Sequence, residues 1–213
     1  NKKSMLYDER NKLVEETVYD SKNKILSQTK NKYDKNGNKI ETINFYSDGS
    51  IEILTSKYDD KGREVENVSY NISGNVNMIY NYEYNINGKL VKTIEKNAEG
   101  NIKNVITFSY DDEGNELEVL SVDNESKINF KMSKKYNNKN MIKELTEENN
   151  DGIIIKKQYK YNKNNKMVEE KIYENDKLAN IIEYNYDKKD KLIEVKTKNI
   201  IEKSSGTTVY VYN

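Results

Sequence analysis

Carboxylates, amines and phenols are plentiful in this 213-residue chain, with 36 Asp+Glu, 36 Lys+Arg and 18 Tyr, but there is no His and no Cys. Without imidazole or thiolate there is no Ser-His-Asp or Cys-His nucleophile, no His or Cys metal ligand and no disulfide. Acid chemistry remains. Two carboxylates that cleave a glycoside must face one bond across roughly 5–9 Å. The adjacent pairs Asp59–Asp60 and Asp111–Asp112 diverge in any strand or turn, so a carboxylate-only glycosidase is a remote alternative and the chain reads as a non-enzyme. The phrase DKNGN from Asp34 has the opening of a calcium loop, but its glycine comes fourth, where such a loop needs it sixth. It therefore reads as a turn, and neither metal nor cofactor is expected. The sequons at Asn67, Asn71 and Asn124 are assigned no role.

The phenols carry a stronger pattern. Tyr7, Tyr33, Tyr58, Tyr84, Tyr110, Tyr136, Tyr161 and Tyr186 follow one another at intervals of 25 or 26 residues. Most open one phrase, as in YDKNGNKI at Tyr33, YDDKGREV at Tyr58 and YDDEGNEL at Tyr110. A weaker mark lies midway in each repeat, for example YSDGSI at Tyr46 and NNDGII at Asn149. Together the marks place a turn residue every 11–14 positions: Asn11, Asn23, Gly37, Gly49, Gly62, Gly74, Gly88, Gly100, Gly114, Ser126, Asn140, Gly152, Asn165, Asp176 and Asp190. Gly, Asn and Asp are the residues that best tolerate φ > 0. A polar stretch that starts on Asp or Asn and ends on such a residue is a type I hairpin turn closed by a left-handed residue.

Between turns the hydrophobic period is two. Val76, Met78, Tyr80, Tyr82 and Tyr84 share one side of a strand, as do Leu178, Asn180, Ile182, Tyr184 and Tyr186. The expected fold is all-β: a repetitive antiparallel meander of about 16 hairpin-linked strands, read as one repeat domain over residues 1–213 and wound into a curved or spiral sheet. A last turn near Lys203–Gly206 would deliver an end strand at Thr207–Tyr212. The absence of Pro suits an unbroken ladder.

The candidate binding surface is the aromatic stripe Tyr80, Tyr82, Tyr84, Tyr159, Tyr161, Tyr184 and Tyr186, which could stack on a sugar or peptide. The bland alternative is a sheet face with the rings buried and the hydroxyls wet. Zero net charge, with acids interleaved among the lysines, argues against nucleic acid as a partner. No apolar run approaches the ~20 residues of a spanning helix. A protein or glycan ligand is the expected partner.

The phrase Y-[DN]-x-x-[GN]-[NKR]-x-[LIV] resembles the YD repeats of the bacterial rearrangement-hotspot proteins over nearly the whole chain. That resemblance implies long β-sheets that wind into shells, usually on secreted or surface proteins. The leading expectation is a non-catalytic secreted or cell-surface module for binding or scaffolding, with any leader or anchor trimmed. The alternative is a segment of a larger YD-repeat shell that encapsulates or displays a toxin or effector domain.

Overall fold

The computed structural model describes residues 2–212 and, among them, contains strands and no helix. The chain divides into two compact units, residues 1–105 and 106–213. The first holds β1 (Lys2–Tyr7), β2 (Leu13–Tyr19), β3 (Ile25–Tyr33), β4 (Lys39–Tyr46), β5 (Ile51–Tyr58), β6 (Glu64–Tyr70), β7 (Val76–Tyr84) and β8 (Leu90–Asn97). Strand β9 (Ile102–Tyr110) contains the division. The second unit continues with β10 (Glu116–Asp123), β11 (Ile128–Tyr136), β12 (Ile142–Asn149), β13 (Ile154–Tyr161), β14 (Met167–Glu174), β15 (Lys177–Tyr186), β16 (Leu192–Asn199) and β17 (Ser204–Val209).

Within each unit every strand pairs antiparallel with its neighbour in sequence, from β1–β2 to β7–β8 in the first and from β10–β11 to β16–β17 in the second. This is the all-β meander that the turn series predicts, with seventeen strands in place of about sixteen. The end strand begins at Ser204 and stops at Val209, because the last turn occupies residues 200–203, ahead of its expected place.

The turns work by one local rule. All fifteen residues of the series have positive φ, Asn11 at 61° and Gly37 at 85° among them. Each type I turn is closed by paired backbone bonds, as in Asp8 N to Lys12 O at 2.9 Å and Asn11 N to Asp8 O at 2.9 Å. The leading Asp or Asn adds its side chain: Asp8 Oδ1 accepts from the amides of Arg10 and Lys12, and Asn162 Oδ1 from those of Asn164 and Lys166. The turn between β14 and β15 departs from the rule. Asn175 and Asp176 both have positive φ (47° and 64°), and Glu174 pairs directly with Lys177. This is the two-residue type I′ hairpin that matches strand twist.

The two sides of the sheet differ. On the side that carries the repeat tyrosines, unit 1 places Leu54, Met78, Tyr80 and Tyr82, and unit 2 places Met132, Leu145, Tyr159, Ile172, Ile182 and Tyr184. The opposite side carries cross-strand ion pairs one position before four of the tyrosines: Lys32–Glu41 (2.6 Å) and Lys57–Glu66 (2.7 Å) in unit 1, and Lys135–Glu144 (2.6 Å) and Lys160–Glu169 (2.9 Å) in unit 2. In these pairs the lysine sits on an odd-numbered strand and the glutamate on an even-numbered one. Unit 1 also has an aliphatic band on the ladder side, where Ile43 faces Ile53 and Val68 faces Ile79.

Burial is shallow. Val68 and Ala179 are the buried hydrophobic residues among those described, and no side chain is fully enclosed. A single layer leaves most side chains half-covered by their cross-strand neighbours, and those pairs are the unit of stabilisation.

Candidate binding surface

Each candidate tyrosine is placed by strand alternation and by a bulge. At the end of β3 the register slips between Lys32 and Tyr33, so that Tyr33 pairs with Lys39 of β4. The ladder on the other side of β3 stops at Glu15–Lys30, leaving the first residues of β2 without a partner on β3. The Tyr33 hydroxyl reaches back and donates to the carbonyl of Leu13 at 2.9 Å, which the Asn31 side-chain amide also reaches at 3.0 Å. The same bond recurs at Tyr58 to Lys39, Tyr84 to Glu64, Tyr136 to Glu116, Tyr161 to Ile142 and Tyr186 to Met167, all between 2.7 and 2.8 Å. It links each tyrosine turn to the one before it, across 19 or 20 residues of sequence.

Of the seven candidate residues, Tyr84, Tyr161 and Tyr186 therefore spend their hydroxyls inside the sheet. Arg63 caps the Tyr84 ring at 4.7 Å from its centroid. Tyr80, Tyr82, Tyr159 and Tyr184 are the members whose hydroxyls are not taken up in this way.

Tyr80, Tyr82 and Tyr84 lie together on β7 in unit 1, and the other four lie on β13 and β15 in unit 2. In unit 2 a carboxylate joins two of them. Tyr159 stands directly across from Glu170, and Tyr184 donates to Glu170 Oε2 at 3.2 Å. Burial first, and the Glu170 charge second, push both phenols up to about 12. Burial followed by nearby glutamates also raises Tyr80 (Glu95) and Tyr82 (Glu64). At neutral pH these groups are neutral donors on aromatic platforms. That arrangement suits stacking and hydrogen bonding to a polar ligand and supplies no base.

The acids singled out in the sequence belong to the turns. Asp34 accepts from the amides of Asn36 and Asn38 and from the Asn38 side chain. Asp59 accepts from the Lys61 and Arg63 amides, with the Arg63 guanidinium at 2.6 Å. Among the described residues no three acids gather as a metal site, and no helix is long and apolar enough to cross a membrane.

One residue escaped the sequence reading. Tyr212 follows Tyr186 by 26 residues and donates to Leu192 O at 2.7 Å, so it is a ninth member of the series. Its spacing was the available signal.

Comparison with known proteins places the fold. No family model matches, and no curated protein matches. Solved structures do. A crystal structure of TcdB2-TccC3-Cdc42 is similar with a TM-score of 0.74 at 10% identity, over 95% of this chain and 11% of that one. A TcdB2-TccC3-TEV crystal structure gives 0.73 at 11% identity, over 97% and 12%. A Photorhabdus luminescens Tc holotoxin pore gives 0.71 at 10% identity, over 93% and 11%. The class defined is the repetitive antiparallel β-sheet of these Tc assemblies. The chain spans about a ninth of the length of the first.

Proposed function

We propose that the chain is a segment of a larger YD-repeat shell that encloses or displays another protein domain, working outside the cell as part of a secreted or surface assembly. One observation carries this reading: nearly the whole chain shares its fold with about a ninth of the TcdB2-TccC3 chain. The two-sided sheet supports it. In each unit the tyrosines gather on one side, where unit 2 adds the ion pairs Lys134–Glu116 and Lys157–Glu147, and the Lys–Glu ladder lies on the other, so that one surface can meet a cargo and the other water. The role is non-catalytic, and the Tyr80–Tyr82 and Tyr159–Glu170–Tyr184 groups are the cargo-facing contacts.

Limited proteolysis of the whole natural polypeptide tests this. The expected result is a distinct domain that survives protease until the repeats are cut. A polypeptide with no such domain, or a domain digested as fast as when it is made alone, would overturn the proposal.

The surface also supports a reading as an open binding module, because the Tyr159–Glu170–Tyr184 group pairs stacking faces with a carboxylate. Glycan-array binding lost in Tyr159→Ala would favour it.

A further inference from the structure

Several cations of this chain are shared between a carboxylate and an aromatic ring. Arg63 holds Asp59 at 2.6 Å and stands 4.7 Å from the centre of the Tyr84 ring. Lys156 holds Asp176 at 2.7 Å and stands 5.2 Å from the centre of the Tyr173 ring. In both, the electron-rich face of the ring and the carboxylate hold one positive charge together.

The group Tyr159, Glu170 and Tyr184 in unit 2 has the same two ingredients but draws no cation from this chain. Nearby glutamates face lysine, as Glu169 faces Lys160 and Glu144 faces Lys135. Glu170 instead faces Tyr159 on β13 and Ile182 on β15. Its Oε2 accepts from the Tyr184 hydroxyl at 3.2 Å. Among the described residues no lysine or arginine lies within ion-pair distance of Glu170, and none stands over the ring of Tyr159 or Tyr184. Lys157, two positions before Tyr159 on the same side, turns to Glu147 at 3.3 Å. Both phenols feel the Glu170 charge, so one carboxylate lies within reach of two rings, and all three residues are partly exposed.

We infer that Tyr159, Glu170 and Tyr184 together receive an arginine side chain of a partner polypeptide, its guanidinium stacked on a tyrosine ring and paired with the Glu170 carboxylate. Arginine suits the group better than lysine. A planar guanidinium lies flat on a ring while its edge donates to a carboxylate, and it is more weakly hydrated than an ammonium. A neutral sugar would cover Glu170 without matching its charge, and burying an unmatched carboxylate is costly. The inference deepens the cargo-facing reading by naming the cargo's chemistry, and it rests on that reading only for the source of the arginine.

A capped Gly-Arg-Gly peptide, titrated into the full chain with its tyrosine rings labelled for NMR, tests it. The ring signals of Tyr159 and Tyr184, assigned with Tyr159→Phe and Tyr184→Phe, are expected to shift, with affinity falling as salt rises. Glu170→Gln keeps an acceptor for Tyr184 and is expected to weaken binding roughly threefold. Tyr159→Leu should weaken it by a similar factor, while Tyr159→Phe retains it, because the ring face is what the cation meets. Equal binding of a peptide with citrulline, the neutral isostere of arginine, would overturn the inference. So would a Glu170→Gln chain that binds as tightly as the parent, or shifts absent from Tyr159 and Tyr184. The proteolysis experiment separates this from the enclosing role. A domain guarded by the repeats in a chain that binds no arginine peptide leaves the shell standing and sinks the inference. Arginine bound by a chain that guards no domain does the reverse.

Discussion

The hydroxyl of Tyr84 donates to the carbonyl of Glu64 at 2.8 Å, and this carbonyl lies beyond the end of the β6–β7 ladder, which stops at Glu66–Asn81. The repeat tyrosine thus supplies a donor that the bulged backbone cannot. Replacing one member with Phe keeps the ring and removes the bond. Tyr84→Phe is expected to cost about 0.5–1.5 kcal/mol. Tyr7→Phe should be neutral, because the Tyr7 hydroxyl touches only Met5 Sδ at 3.4 Å. Urea unfolding midpoints of the two variants check the difference; equal costs would show that the hydroxyl bond contributes nothing.

Left-handed turn positions give a second expectation. Gly100 has φ of +83° and nothing within 4 Å of a built Cβ, so Gly100→Ala isolates backbone strain, expected at about 1–2 kcal/mol. Gly206 does not have a left-handed φ, and a Cβ there would lie 3.1 Å from the movable Thr197 hydroxyl. Gly206→Ala is expected to stay within ~0.5 kcal/mol. Thermal melts of both variants decide the point.

Acid should loosen the turns. Backbone amides of Lys12, Arg63 and Lys191 hold Asp8, Asp59 and Asp187 below their ordinary 3.8. A depressed carboxyl stabilises the fold above the unfolded value and loses that contribution as pH falls through its folded value. Stability is therefore expected to be level above pH 3.8 and to decline below it. In Asp59→Asn the decline should be shallower, as read from urea midpoints across that range.

Alkali acts through different residues. Tyr159 and Tyr184 are raised from 10.0 to about 12, so their contribution is whole below pH 10 and is lost as pH rises through 12. Phenolate absorbance should show a late-titrating class of tyrosines. Glu170→Gln should bring Tyr184 earlier, because it removes a negative charge while leaving an acceptor in place. An unchanged titration would show that burial alone sets the shift.

Much of this fold is legible in the sequence because its turns depend on local chemistry. Positions such as Asn11, Gly37 and Asp190 adopt positive φ for reasons internal to five residues, and period-two alternation does the rest. The type I′ turn at Asn175–Asp176 also leaves a trace, the 11-residue step from Asn165 to Asp176. The stapling role of the tyrosines is not legible. Their acceptors lie where the ladder to the preceding strand stops short, as at Glu15–Lys30 before Tyr33, and no pattern in the sequence announces which carbonyl that reaches. The stripe Tyr80–Tyr82–Tyr84 reads correctly as one face, yet three of the seven candidate tyrosines prove to serve the backbone. The Glu170 link between Tyr159 and Tyr184 depends on pairing across β13, β14 and β15, which the repeat alone does not register. The aliphatic band through Ile43, Ile53, Val68 and Ile79 was hidden because it spans four strands with one or two residues in each.

The tyrosine bond also acts as a ruler. Its donor and acceptor are 19 or 20 positions apart in every case observed, the one-residue difference being taken up at the midway turn and its bulge, so a residue gained or lost within a strand itself turns later side chains to the wrong side of the sheet. Gain or loss of an entire repeat leaves both the bond and the sides in place. Length in such a chain is accordingly quantised: lineages that carry it should differ by whole repeats, copied or dropped as units, with point insertions confined to the tips of the turns.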